Sequence, residues 1–204
     1  RPGRSALDAV GTARRRCWKF DWVIDLDIKS FFDSIPWYLI EKAVAHHTEL
    51  SWVHLYVKRW LQAPVEREDG ILVERICGTP QGSVVSPLLA NLVLHYAFDH
   101  WMQRTFPCLC FERYADDAIV HCRTESEART VMEAIRKRLA ECGLELHPEK
   151  TRIVYCKDNK RRKECEHISF DFLGYTFQPR SARDRKGEKF LNFLPAISNK
   201  AAKG

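Results

Sequence analysis

An Asp-Asp pair lies between two stretches that favour extended chain, and it limits the possible folds more than any other feature of the sequence. Asp116 and Asp117 follow Tyr114-Ala115, with Leu109–Arg113 before them and Ala118–Cys122 after them. The composition of the flanks predicts a β-hairpin with two carboxylates at its tip. Two ionised carboxylates about 4 Å apart repel by about 4 kcal/mol at an effective dielectric near 20. Such a tip is therefore either a solvated turn or a site where a proton or divalent cation relieves the repulsion.

Charge and composition describe a globular chain with a slight basic excess. The 204 residues include 33 basic and 27 acidic side chains, a net charge of +6 that permits nucleic-acid binding without requiring it. There is no membrane-spanning apolar run and no secretory signal. The eight cysteines contain no C-x-x-C pair, which favours free thiols in a reducing, intracellular compartment. Because the first residue is Arg1 and not Met, we expect the chain to be part of a longer protein.

A further carboxylate follows a second predicted strand, Trp22–Ile28. Alternation along that strand puts Val23, Asp25 and Asp27 on one face. Asp27 comes at the strand's end, just before Lys29, and is well placed to project into a cleft. The alternative is an edge aspartate exposed to water.

Hydrophobic periodicity predicts the remaining elements. Helices are expected at Ser5–Arg16, Pro36–His47, Ser51–Leu61, Pro87–Arg104 and Glu125–Cys142, the last ended by a left-handed cap at Gly143. Strands are expected at Leu144–Leu146, Arg152–Tyr155 and Phe170–Phe177, with a hairpin over Pro64–Glu74. In the helix over Ser51–Leu61, we interpret Trp52, Leu55, Tyr56 and Trp60 as its core-facing side and not as a base-stacking platform.

Two kinds of segment suggest contact with an anionic ligand. The loop Gly78–Pro87 contains glycines that allow the backbone to approach a ligand closely, although such loops also occur as plain connectors. Arg14–Arg16 and the five basic residues within Lys157–Lys163 are suited to a phosphate backbone or to a solvated surface. We expect the second segment to be an exposed, mobile loop.

The order of these elements predicts an α+β fold. With Pro36–Glu74 set aside as an insertion, strand, helix, hairpin, helix and strand make a ferredoxin-like βαββαβ antiparallel sheet backed by helices. In that topology the first strand lies beside the hairpin, so Asp27 would approach Asp116 and Asp117. Three carboxylates at one place suit a pair of Mg²⁺ ions, which serve in-line displacement at phosphorus.

Several motifs in this order resemble the reverse transcriptases encoded by bacterial and organellar group II introns. They are Arg1–Ser5, Asp27–Asp33, Gly78–Gly82, Ser86–Asn91, Tyr114–Asp117, Gly143–Thr151 and Phe172–Tyr175. The resemblance implies a polymerase palm with part of the fingers. It divides the chain into fingers (1–19), palm (20–36), fingers (37–76), palm with the hairpin (77–167), and primer-grip-like strands leading to a thumb linker (168–204).

The resemblance also implies roles for individual residues. Asp27 and Asp116 would be the principal metal ligands, with Asp117 the third and the Ile28 carbonyl completing one site. Asp25 and Asp33 are expected to point elsewhere or to act as local caps.

Around this centre, Phe32 would lie beneath the incoming sugar and select deoxynucleotides, although a core phenylalanine is the alternative. Gln81 and Gly82 would contact nucleotide and template. Lys150 would donate a proton to pyrophosphate, with a plain surface lysine as the competing interpretation. Phe172–Tyr175 would grip the primer end.

The implied activity is RNA-directed DNA polymerisation with two Mg²⁺ ions, which Mn²⁺ can replace. The implied partners are an RNA template, a DNA or RNA primer, deoxynucleoside triphosphates and intron RNA. The expected location is the bacterial cytoplasm, with an organelle as the alternative. Other readings stay open: an intron-RNA-binding maturase fragment without activity of its own, a retron, CRISPR-associated or diversity-generating polymerase, and a nucleotidyl cyclase.

Overall fold

The computed structural model describes residues 5–66, 69–80, 84–183, 187–199 and 201–202, and these form two compact units. The first combines Arg1–Asp27, Cys108–Ala134 and His147–Gly204; the second combines Ile28–Pro107 and Ile135–Leu146. The helices are α1 (Ala6–Cys17), α2 (Phe31–Ser34), α3 (Trp37–Ala45), α4 (Ser51–Gln62), α5 (Ser86–Leu94), a π-helical turn (His95–Asp99), α6 (His100–Thr105) and α7 (Glu125–Glu141). The strands are β1 (Trp22–Leu26), β2 (Val65–Glu66), β3 (Leu72–Val73), β4 (Cys110–Tyr114), β5 (Asp117–Cys122), β6 (Arg152–Tyr155), β7 (Phe170–Phe172), β8 (Tyr175–Arg183) and β9 (Lys189–Ile197).

A four-stranded antiparallel sheet in the first unit carries the aspartates. Its strand order is β4-β5-β1-β6, so β1 has a hydrogen-bonded neighbour on both edges. The predicted neighbourhood of β1 and the hairpin is therefore confirmed. Helices combined with antiparallel sheets also confirm the α+β class.

One face of this sheet packs against α1 and a second, three-stranded sheet of order β7-β8-β9. Val23, Ile119 and Val154 from the sheet are fully buried. They belong to one apolar cluster with Val10, Ala13, Cys17, Cys156, Phe170, Phe172, Phe177 and Phe193. Helix α1 begins as predicted: Ser5 and Asp8 form a reciprocal capping box that satisfies amides at its N-terminus.

The second unit is mainly helical. Helices α5 and α6 make one run through the π-helical turn, close to the predicted Pro87–Arg104. A π-turn disturbs the regular helical ladder, and Arg138 of α7 donates to the carbonyl oxygens of Ala97 (3.1 Å) and Tyr96 (3.4 Å) there. Gly143, with φ of 69°, ends α7 in the predicted left-handed conformation.

The core assignment for α4 is wrong. The side chains of Trp52, Leu55, Tyr56 and Trp60 are 45–59% exposed, whereas Val57 and Leu61, on the opposite side, are buried. The helix has two apolar sides, and its periodicity fits either one. The smaller aliphatic side is the one that packs.

Two further predictions need correction. Leu144–Leu146 is not a strand, because its ladder pairing consists of one isolated bridge between Leu146 and Ile28. The Lys157–Lys163 segment is a loop with Lys160, Arg162 and Lys163 exposed, as predicted, but Arg161 departs from the prediction. Its Arg161 is 11% exposed and donates to the carbonyl oxygens of Cys17 (2.9 Å) and Phe20 (2.8 Å).

Other basic residues are also engaged within the first unit. Lys157 pairs with Glu164 at 2.6 Å, and Lys163 pairs with Glu125 at 2.5 Å. All eight cysteines are free thiols, as expected. Among the helices of the described residues, none combines the length and apolarity that crossing a bilayer requires.

Candidate active site

The β4–β5 hairpin holds two of the predicted carboxylates at its tip. Tyr114 pairs with Asp117 across the ladder, and Ala115 has a left-handed backbone with φ of 54°. Arg113 Nη1 donates to the Ala115 carbonyl oxygen at 2.6 Å, which holds the turn from one side. Asp116 and Asp117 are exposed. The predicted hairpin is confirmed.

Strand register brings Asp27 to the same place. The β1–β5 ladder ends with Leu26 opposite Ala118, and Asp27 and Asp117 are the next residues at that end of the two strands. Asp27 is partly buried, with 39% of its side chain exposed.

The carboxylates interact electrostatically. The pKa of Asp117 is raised by desolvation, by the charge of Asp116 and by the charge of Asp27. Lys150 Nζ lies 3.5 Å from Asp27 Oδ2, so an ammonium group balances part of this negative charge. Lys150 therefore lies beside Asp27, and its role as a proton donor stays a prediction.

Asp25 lies closer to this centre than expected. It shares the face of Asp27 and stands opposite Arg152 in the β1–β6 ladder. Burial raises its pKa to about 7, against the lowering effect of Arg152, and the charges of Asp117, Asp171 and Asp27 add to the increase. The pleat thus does not turn Asp25 away from the acidic centre. Asp33 lies in the other unit, where Arg75 is 3.6 Å from its carboxylate.

The chemistry of the donors suits a hard divalent cation, which prefers carboxylate oxygens. Within the described ranges, however, no three His, Cys, Asp or Glu side chains are grouped so that they would hold a metal ion. The carboxylates of Asp27, Asp116 and Asp117 are nevertheless the type of donor that suits such a cation.

The proposed nucleotide-contacting residues belong to the second unit. Phe32 is half-buried in α2, and its carbonyl oxygen accepts a 2.7 Å hydrogen bond from the Thr79 amide. Gly78 has φ of 75°, and a Cβ there would come within 2.6 Å of the Phe32 and Asp33 carbonyl oxygens. Trp37 Nε1 donates to the Gly78 carbonyl at 2.8 Å. The start of the glycine loop is thus bound to α2, whereas Gln81 and Gly82 lie outside the described residues.

Two other predicted positions have plain structural settings. Ile28 makes the isolated bridge with Leu146. Leu173 and Gly174 form the two-residue turn between β7 and β8, both with positive φ, as this tight hairpin requires. The metal-ligand role of Ile28 and the primer-gripping role of Phe172–Tyr175 stay predictions.

A buried ionic network behind the hairpin was not foreseen. Glu112 of β4 is 7% exposed and accepts a hydrogen bond from Arg16 of α1. His121 of β5 is fully buried, and its Nε2 lies 2.6 Å from the other Glu112 oxygen. The available signal was a glutamate and a histidine placed among apolar residues of two adjacent strands, Glu112 after Phe111 and His121 after Val120. Their pairing ties α1 to both strands that present Asp116 and Asp117.

Comparison with known proteins supports the family resemblance seen in the sequence. The family model described as "Reverse transcriptase (RNA-dependent DNA polymerase)" matches residues 1–177. Protein YkfC of Escherichia coli K12 is 26% identical over 92% of this chain and 56% of its own length. The group II intron-encoded protein LtrA of Lactococcus lactis is 33% identical over 47% of this chain and 16% of its own length.

A solved structure agrees at the level of fold. Apo telomerase from Candida tropicalis superposes with a TM-score of 0.64 at 14% identity, covering 84% of this chain and 37% of the telomerase chain. The chain therefore spans about half or less of each of these proteins.

Proposed function

The chain belongs to the reverse transcriptase (RNA-dependent DNA polymerase) family, and we propose that it carries the catalytic centre of an RNA-directed DNA polymerase. The observation that supports this most is the β1–β5 ladder, which ends at the pair Leu26 and Ala118, so that Asp27 follows one strand where the Asp116-Asp117 tip precedes the other.

The sheet supports assignment as a polymerase palm. Its order, β4-β5-β1-β6, is the order in which a ferredoxin-like βαββαβ chain arranges its four strands, with the first strand between the third and the fourth. The division into palm and fingers segments follows from that assignment.

In this proposal Asp27, Asp116 and Asp117 hold the catalytic metal ions, helped by the Ile28 carbonyl. Bound Mg²⁺ would supply activation of the primer 3′-hydroxyl and neutralisation of the pyrophosphate charge. Phe32 and the Gln81-Gly82 segment orient the incoming deoxynucleotide. Lys150, whose ammonium group already lies beside Asp27, donates a proton to the departing pyrophosphate.

The partners follow from this chemistry: an RNA template, a primer and deoxynucleoside triphosphates. The likeness to LtrA, by name a group II intron-encoded protein, supports a setting in a group II intron, with intron RNA as a further partner. The internal pairing of Arg161 and Lys163 removes part of the basic surface that a purely RNA-binding role would use.

The test is primer extension by the protein on an RNA template, with Mg²⁺ varied. Asp116→Asn keeps the size of the side chain and removes its charge, so extension should fall by at least about a thousandfold while the fold is retained. Asp69→Asn, at an exposed turn, is the matched control and should extend normally. Normal extension by Asp116→Asn would reject the assignment.

Two competing functions give different results in the same experiment. A nucleotidyl cyclase would consume free nucleotide without a primed template. A non-catalytic maturase fragment would bind intron RNA with strong salt dependence but would not extend the primer.

A further inference from the structure

The loop His147–Thr151 is hydrogen-bonded to the main chain of Asp27. The His147 amide donates to the Asp27 carbonyl oxygen at 2.8 Å, and the Thr151 amide donates to the His147 carbonyl oxygen at 3.0 Å. The loop is thus a closed turn whose two ends are fixed at Asp27, the residue after β1.

The Thr151 side chain completes this contact. Its hydroxyl oxygen accepts from the Asp27 amide at 3.2 Å and donates to the Asp27 carbonyl oxygen at 3.2 Å. A hydroxyl group is able to do both, since it has one donor and two acceptor sites. Thr151 is 8% exposed, so water has little access to this pair of hydrogen bonds.

The position in the ladder explains why a side chain is needed. Pairing between β1 and β6 stops at Asp25 and Arg152, two residues before Asp27. Beyond that pair, main-chain pairing resumes at the bridge between Ile28 and Leu146. The Thr151 hydroxyl binds both polar main-chain groups of Asp27 in the gap between these two pairings.

We propose that Thr151 is a positioning residue for the metal-binding carboxylate of Asp27, an inference that rests on the proposed polymerase function. Holding the amide and carbonyl of Asp27 fixes the direction in which its side chain leaves the strand. Mg²⁺ demands near-ideal octahedral geometry from its ligands, so a loose main chain at Asp27 weakens its binding. Partners that orient a ligand in this way typically change metal affinity or activity by about 10–100-fold when removed.

Three variants separate positioning from general stability. Thr151→Val keeps the shape and removes the hydroxyl, whereas Thr151→Ser keeps the hydroxyl and removes the methyl group. Thr130→Val is the matched control, because the Thr130 hydroxyl contacts only its own helix, at the Ser126 carbonyl.

The measurement is Mn²⁺ binding followed by electron paramagnetic resonance, with a primed template, incoming nucleotide and a primer that lacks its 3′-hydroxyl so that no reaction occurs. Thr151→Val should raise the Mn²⁺ dissociation constant by about tenfold. Thr151→Ser and Thr130→Val should stay within about twofold of the unmodified protein. The Mg²⁺ concentration for half-maximal extension on a normal primer should shift in parallel.

Unchanged Mn²⁺ affinity in Thr151→Val, even with a lower melting temperature, would overturn the proposal and leave Thr151 a purely structural residue. If Thr151→Val does not fold, Thr151→Ala replaces it, and equal affinities for Thr151→Ala and Thr151→Ser would overturn the proposal. Failure of the polymerase function itself has a different signature: the unmodified protein would lack metal-dependent extension, or Asp27→Asn would retain it.

Discussion

Strand β1 and helix α4 are both rich in large apolar side chains, but those of β1 are buried and most of those of α4 are exposed. Val23 and Ile24 of β1 are completely buried. In α4 only Val57 and Leu61 are buried, while Trp52 and Tyr56 remain about half exposed.

The difference comes from the number of neighbours each element has. β1 is hydrogen-bonded to a neighbouring strand on both edges, so main-chain pairing alone places it inside the sheet. A helix satisfies its own main chain and needs to bury only one stripe. Apolar identity therefore predicts burial well for a central strand and poorly for a helix with two apolar sides.

The largest expected effect tests the buried side of this comparison. Ile24→Ala leaves a cavity in a fully enclosed part of the sheet and should lower the free energy of unfolding by about 3 kcal/mol. Urea denaturation measures this directly. Leu55→Ala, on the exposed side of α4, is the comparison variant, and equal losses for the two would remove the distinction between the elements.

An intermediate effect concerns the charge within β1. The folded protein raises the pKa of Asp25 to about 7, above its value in the unfolded chain, mainly by burial. The folded state therefore holds this proton more tightly, and the free energy of unfolding decreases as pH rises from about 4 to about 7. The pKa of Asp25 thus rises by about three on folding, and this corresponds to about 2–4 kcal/mol of the free energy of unfolding once solvent screening is taken into account.

Asp25→Asn removes that loss. The variant should match the unmodified protein at pH 4 and be about 2 kcal/mol more stable at pH 8, as measured by urea denaturation at both values. Asp69→Asn, at an exposed turn, is the control and should not alter the pH dependence. If the free energy of unfolding of Asp25→Asn changed with pH as it does in the unmodified protein, the burial of Asp25 would be contradicted.

The smallest effect is expected on the exposed side of α4. Trp52 is 59% exposed, so Trp52→Ala should change the free energy of unfolding by no more than about 0.5 kcal/mol. Leu61→Ala, on the buried side of the same helix, should cost about 3 kcal/mol. A large loss for Trp52→Ala would indicate that this side is packed in solution.

Sequence reasoning succeeded where local chemistry decides the structure. The helix start at Ser5 and the left-handed cap at Gly143 depend on neighbouring residues, and both are present as predicted. The hairpin around Asp116 and Asp117 likewise depends on flanking strand formers and a short turn. It failed for Arg161 within the Lys157–Lys163 loop because composition does not reveal that this side chain meets the carbonyl oxygens of Cys17 and Phe20, about 140 residues earlier.

For the candidate site, too, some features follow from the sequence and others only from the tertiary structure. Residue type and order alone determined that this chain has an α+β fold, which carboxylates are candidates, and that β1 would adjoin the hairpin. Tertiary structure alone decided that Thr151 is hydrogen-bonded to Asp27, that Glu112 and His121 are buried together behind the hairpin, and that burial raises the pKa of Asp25 to about 7. These contacts join residues that are distant in sequence or depend on exact register, and their energies come from burial and hydrogen bonding that arise only when the strands have paired.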